Sequence, residues 1–447
     1  MANDYLDYFT INGTEVYLQD YGRGQSNGVP VLDPQGKLPM KYLTTLFASN
    51  VRVSPEDPNN DSLVDWAVKL VSPELKDSGK FWKQGTGANT ASKMQYLVYA
   101  NGLWVCGSNG QGCWWSSAEG KSWTQGTGGN TRSIMQYLVY ANGLWVCGSN
   151  GQGCWWSADG KHWTHGTGGN TSYTMQYLVY ANGLWVCGSN SHGCWWSADG
   201  KHWTQGTGAN TSYTMQYLVY AKGLWVCGSV NHGIWWSADG KSWTQGTGSN
   251  TEDTMLTLVY ANSLWVCGSS GHGCWWSADG KSWTQGTGSN TEYTMDYFVY
   301  ANDLWVCGGG YKGIWWSADG KSWTQGTGAN TGYTMVYLVY ANGLWVCGSV
   351  NHGIWWSADG KSWTQGTGAN SKYTMHYLVY ANGLWVCGSN GHGCWWSADG
   401  KSWTQGTGAN SKDTTRYLAY ANGIWVCGSG NKGIWWSGVS VYQPEIA

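Results

Sequence analysis

The sequence predicts an all-β chain: a nine-bladed β-propeller of ~40-residue, four-stranded repeats, preceded by a small N-terminal β-rich module. Three observations lead there. The segment YLVYANGLWVCG and its close variants begin at residues 96, 137, 177, 217, 257, 297, 337, 377 and 417, a spacing of 41 once and 40 thereafter. Of the 37 Trp, 36 lie from Trp82 onward at fixed spacing within that array. Six of the seven Pro (Pro30, Pro34, Pro39, Pro55, Pro58 and Pro73) precede residue 76, and Pro444 follows the last repeat. The 447 residues therefore divide into 1–76, an attachment or oligomerisation module, and the repeat array 77–447.

Within one period four strands are expected: Tyr177 to Tyr180, Leu184 to Cys187, Cys194 to Ser197 and Lys201 to Thr204. Each is rich in aromatic or β-branched residues and bounded by Gly, Asn or Asp. The short links imply antiparallel pairing. Adjacent large residues such as Trp195 and Trp196 point to opposite faces of a strand, so both faces of the sheet must be covered. Stacking sheets around an axis achieves this. The array opens with Asp77 to Gln84, which matches the fourth strand, and ends with only strands one to three, so the N-terminal strand can complete the last blade. Closure removes the exposed edges that invite aggregation. An open solenoid is the alternative, although the cap repeats it needs are missing.

Before the array, the alternating run from Tyr8 to Leu18 is broken by Asn12-Gly13, which favours a hairpin turn. Residues 26–43 are rich in turn formers, and Ser62 to Val71 fits either a short helix or a strand.

A formal charge of −2 and only four Arg (Arg23, Arg52, Arg132 and Arg416) argue against nucleic acid as a partner. No apolar run approaches the ~20 residues of a membrane span. The start, MANDYLDYF, lacks the pattern of a secretory signal, which implies synthesis in the cytoplasm.

The turn Ser157-Ala158-Asp159-Gly160-Lys161-His162-Trp163 resembles the Asp-box of sialidase-type propellers, one residue shorter than the usual form. Asp159, Asp199, Asp239, Asp279, Asp319, Asp359 and Asp399 occupy the Asp position and Glu119 stands in an eighth copy. The resemblance implies a structural role for these Asp, as acceptors of backbone N–H groups. A second stretch, Asn27 to Leu43, resembles one common near the start of phage tail-fibre proteins, between the virion-attachment and receptor-binding ends. That resemblance implies a virion-tail location in a host cytoplasm-made protein and assembly with other tail proteins through residues 1–76. It admits a homotrimer, and implies recognition of a host-surface glycan or protein. A free-standing lectin or structural scaffold is the alternative.

Glycan hydrolysis is disfavoured. The sialidase reaction needs three Arg around the substrate carboxylate, and the array has Arg132 and Arg416 only. The recurring carboxylates belong to turns, so no acid/base pair is evident, no catalytic residue is assigned and the chain is expected not to be an enzyme. All nine repeats carry a second-strand Cys, but the third strand has Cys at 113, 154, 194, 274 and 394 and Ile at 234, 314, 354 and 434. Exchange with Ile suits buried, reduced Cys better than cross-strand bridges. Neither C-x2-C nor paired His spacing appears, so no metal or other cofactor is expected.

Comparison among the repeats locates a candidate ligand site. The first–second and third–fourth turns, ANG and SADGK, share one side of the ring and hardly vary. The second–third turn and the blade-to-blade link share the other side and diversify together. The recognition surface is therefore expected to include Tyr173, His192, Tyr213, His232, His272, Tyr293, Tyr311, Lys312, Tyr333, His352, Tyr373 and His392.

Overall fold

The computed structural model describes residues 8–11, 14–17, 78–87 and 93–438, the last range without 130, 170, 209, 249–251, 289–291, 329–331, 369–371, 409–411 and 431. Two compact units result. One comprises Met1–Phe81, Ala421–Trp425 and Ser437–Ala447; the other comprises Trp82–Tyr420 and Val426–Trp436. In the first unit, Tyr8–Ile11 pairs antiparallel with Thr14–Tyr17, as the alternation predicts. The remaining expectations for 1–76, including the Asn12-Gly13 turn and the segment Ser62 to Val71, fall outside the described residues.

The array is a β-propeller of nine blades, without helices among the described residues. We number the blades by their first strands: Met94–Ala100, Met135–Ala141, Met175–Ala181, Met215–Ala221, Met255–Ala261, Met295–Ala301, Met335–Ala341, Met375–Ala381 and Thr415–Ala421. Blade 3 is representative. Its strands Met175–Ala181, Leu184–Ser189, Cys194–Ser197 and His202–Gln205 pair antiparallel in sequence order, with Val186 opposite Val179 and Trp196. The turn between its first two strands has positive φ at both Asn182 (49°) and Gly183 (73°), the geometry of a type I′ hairpin, which matches strand twist. In blades 5 and 6 Ser263 and Asp303 take up the Gly position with φ of 59° and 55°.

Each outer edge carries one feature beyond the four expected strands. After its fourth strand the chain runs parallel to the fourth strand of the next blade, as where Thr167–Gly168 pairs with His202 and Trp203. Elsewhere this contact narrows to single bridges, such as Thr207 with Ser242. The outermost strand is thus covered, which blunts a template for aggregation. The Gly-Thr-Gly sequence is needed for this approach: a Cβ on Gly168, at φ +117°, would lie 2.0 Å from the Trp203 carbonyl oxygen.

The hydrophobic core lies between blades. One cluster joins Leu144, Val146 and Cys154 of blade 2 to Met175, Leu178, Trp185, Cys187, Trp195 and Trp203 of blade 3, and the same composition repeats around the array. Three of the four Trp in a repeat, such as Trp185, Trp195 and Trp203, are buried this way. The fourth, exemplified by Trp156, is half-buried beneath the Lys201 ammonium of the next blade, 4.4 Å from its ring.

Blade 9 is completed from the start of the array. Phe81–Gln84 joins its sheet, with Lys83 opposite Trp436 and Gln84 opposite Trp435. Lys121 of blade 1 sits 4.8 Å over Trp436 of blade 9, repeating the blade-to-blade stacking seen elsewhere.

All fourteen Cys are free and buried. The register explains why the hairpin Cys do not meet: Cys187 faces Trp195 and Cys194 faces Gly188, so the two side chains project to opposite faces of the sheet. Cys194 instead lies 3.9 Å, sulfur to sulfur, from Cys227 of the next blade.

Candidate functional site

The link and the second–third turn, variable in sequence, meet as pairs. The Tyr173 ring stacks on His192 with centroids 3.6 Å apart and planes 16° from parallel. Tyr213 and His232, Tyr333 and His352, and Tyr373 and His392 repeat this at 3.6 Å. In blade 6 the Lys312 ammonium lies 4.9 Å over the Tyr293 ring. In blade 5 His272 Nδ1 lies 3.0 Å from the Asp253 carboxylate. In blade 2 the Ser133 hydroxyl donates to Gln152 Oε1. The two loops diversify together because they touch: stacked ring with ring, cation with ring, carboxylate with imidazole, hydroxyl with amide. Comparing the loops one at a time hides this complementarity.

The turns are also tied from below. Gln205 Nε2 donates to the His192 carbonyl at 2.8 Å, and Gln325 Nε2 to that of Lys312 at 2.7 Å. Tyr311 differs from the other eleven expected residues. It is 78% exposed, and its φ is +60°, at a position where the other described blades place Gly, Ser or Asn. An aromatic residue in the left-handed region costs on the order of 1 kcal/mol or more.

On the opposite side, the third–fourth turns are self-contained. Asp159 Oδ1 accepts the N–H groups of Lys161 at 2.8 Å and His162 at 2.9 Å, and the Ser157 hydroxyl at 3.0 Å. Ser157 Oγ in turn accepts the Gly160 N–H at 2.8 Å. Asp199, Asp239, Asp279, Asp319, Asp359 and Asp399 bind their turns alike. Burial raises these carboxyls, but the donated backbone hydrogen bonds outweigh it and hold them below the usual carboxylate range. Such carboxylates serve as turn clamps.

A third feature, at the propeller axis, was not apparent from the sequence. First strands of successive blades pack together, and in eight of the nine the third residue is a Tyr that points its phenol at its neighbours. Tyr96, Tyr137, Tyr177 and Tyr217 follow one another with ring centroids 4.4–4.5 Å apart. Tyr297, Tyr337, Tyr377 and Tyr417 continue at 4.5–5.0 Å, and Tyr417 returns to Tyr96 at 4.8 Å. Nine such positions, eight of them Tyr, form a girdle around the channel that propellers enclose.

A bulge aims the phenols. In blade 3 the register shifts between Gln176 and Leu178, leaving Tyr177 unpaired at φ +36°. Seven of the eight girdle Tyr have positive φ; Tyr137 alone remains in register, opposite Gly148. Burial first, then neighbouring phenols, pushes Tyr96 and Tyr177 far above the usual tyrosine value, so both stay neutral.

Blade 5 breaks it. Thr257 occupies the Tyr position in register opposite Gly268, and the extra residue of the bulge is Leu256, as it is Gln136 in blade 2. The residue preceding the girdle position is Gln in blades 1 to 4, then Leu256, Asp296, Val336, His376 and Arg416 in blades 5 to 9. Burial raises the Asp296 carboxyl to about 6, against one backbone hydrogen bond from the Tyr297 N–H at 3.0 Å. Burial, with the nearby Arg416 charge, lowers His376. Among the described residues, no group of three or more His, Cys, Asp or Glu is placed to hold a metal ion.

Fold and site together define a β-propeller. The chain is similar to the Dos1 propeller, at a TM-score of 0.50 and 9% identity over 81% of this chain and 96% of that one. It is similar also to Saccharomyces cerevisiae Sqt1, at a TM-score of 0.50 and 11% identity over 69% and 96% of the respective chains. At such identities the likeness establishes the fold alone. No family profile and no curated protein matches the sequence.

Proposed function

We propose that the chain is a phage tail-fibre or receptor-binding component, a binding protein and not an enzyme, whose propeller recognises a host-surface glycan or protein. Residues 1–76 then serve attachment to other tail proteins in the virion. The tail-fibre-like stretch Asn27 to Leu43 and the Asp-box-like turns support this context. The observation that carries the recognition role is Tyr311, an exposed aromatic ring held at a strained backbone position beside the stacked Lys312 and Tyr293. Strain retained at an exposed ring is a feature of binding sites. The Tyr–His pairs of blades 3, 4, 7 and 8 act as rigid supports for the same face.

Replacing both Tyr311 and Lys312 by Ala is expected to weaken binding to a glycan array or to host cells by tenfold or more, an anchor-residue effect. The melting temperature should change by only about a degree or two, because Tyr311 is exposed and Lys312 contributes one partly exposed cation–ring contact. Undiminished binding by that double variant contradicts the proposal.

A further inference from the structure

The girdle is interrupted in one blade only, and that interruption adjoins a carboxylate. Thr257 stands between Tyr217 of blade 4 and Tyr297 of blade 6, where any other blade would supply a ring. We propose that this break is a binding notch for an organic ammonium group, received between Tyr217 and Tyr297 and paired with the Asp296 carboxylate.

Space comes first. Girdle neighbours elsewhere stand 4.4–5.0 Å apart, centroid to centroid, so omission of one phenol opens a place about one ring wide. The Thr257 side chain is too small to fill it. Charge complementarity comes second. Among the described residues Asp296 receives a hydrogen bond from the Tyr297 N–H at 3.0 Å and no Lys, Arg or His pairs with it. Asp296 directly precedes Tyr297 on the strand Met295–Ala301, which packs against the Thr257 strand Met255–Ala261, and its charge is felt at both Tyr217 and Tyr297, the two rings that border the break. A cation there gains the carboxylate and the negative faces of two aromatic rings.

The donor set favours an organic cation over a metal ion. One carboxylate among phenol faces falls short of the six to eight oxygens that Ca2+ takes, whereas a weakly hydrated alkylammonium is well served by ring faces. Backbone strain gives further support. Seven Tyr are held at positive φ around the channel, a cost that persists where the geometry has a use. The notch is independent of the proposed receptor-binding face, and either can fail without the other.

The test uses the full chain, titrated with choline and with its neutral carbon isostere 3,3-dimethylbutan-1-ol, followed by calorimetry. Choline is expected to bind at least about tenfold tighter than the isostere. T257Y, which installs the residue that the other eight blades carry, should fold normally and weaken choline binding by about tenfold or more through filling the notch. D296N, which removes the charge and keeps the shape, should do the same. Equal affinity for choline and the isostere, undiminished choline binding by both variants, or no binding of choline by the native chain at millimolar concentration would overturn the proposal.

Discussion

Deletion of residues 77–87 is expected to lower the melting temperature by on the order of 10 °C, through loss of the strand that completes blade 9. Trp82 is buried to 1% exposure, and its loss alone corresponds to roughly 3–5 kcal/mol. The deletion also strips Ile434–Gly438 of its outer partner, exposing the unpaired N–H and C=O groups of a strand edge. Aggregation on heating should therefore accompany the lower transition. Calorimetry on the truncated and intact chains measures both effects, and coincident transitions would mean that Phe81–Gln84 contributes nothing to the ninth blade.

Gly168→Ala is expected to destabilise the propeller by about 4 kcal/mol, and Gly183→Ala by only about 1 kcal/mol. Both glycines have positive φ, +117° and +73°. They differ in surroundings: a Cβ on Gly168 meets the Trp203 carbonyl oxygen at 2.0 Å, whereas one on Gly183 has no atom within 4 Å. The obstacle at Gly168 is backbone of the next blade, which cannot move aside without separating the parallel contact of Thr167–Gly168 with His202 and Trp203. Urea unfolding of the two variants compares a glycine near the ordinary left-handed region with open space around it to one at a more strained φ against backbone. Equal losses would mean that the fifth-strand contact is looser than described.

The blade count, the closing strand and the burial of the Trp were legible because each rests on a repeat period or on alternation of side chains along a strand. Thus Trp195 and Trp196 require cover on both faces in any four-stranded repeat. The girdle was not legible for the same reason. Simple alternation gives Tyr177 a place on one sheet face, but the bulge between Gln176 and Leu178 turns it toward the axis, and nothing in a Gln-Tyr-Leu sequence announces a bulge. The lone substitution of Thr257 among nine copies was the available signal. On the variable face, the residues were identifiable and their relations were not. Tyr173 with His192, Tyr293 with Lys312 and Asp253 with His272 emerge as partners only when changes at one loop are matched with changes at the other. The parallel fifth strand escaped because two residues of Thr-Gly carry no strand pattern of their own.

Closure of nine blades around the tyrosine girdle is tested most directly by photo-oxidative dityrosine cross-linking of the dilute native chain, followed by tryptic peptide mapping. Tyr377 and Tyr417, in consecutive blades, are 4.6 Å apart and provide the internal control. Tyr96 and Tyr417, more than three hundred residues apart in sequence, are 4.8 Å apart only because blade 9 meets blade 1. Trypsin releases these two in distinct peptides, 94–121 and 417–432. A closed ring predicts a linked 94–121/417–432 product in yield comparable to the control. The control product without the 94–121/417–432 product would contradict closure and favour an open array.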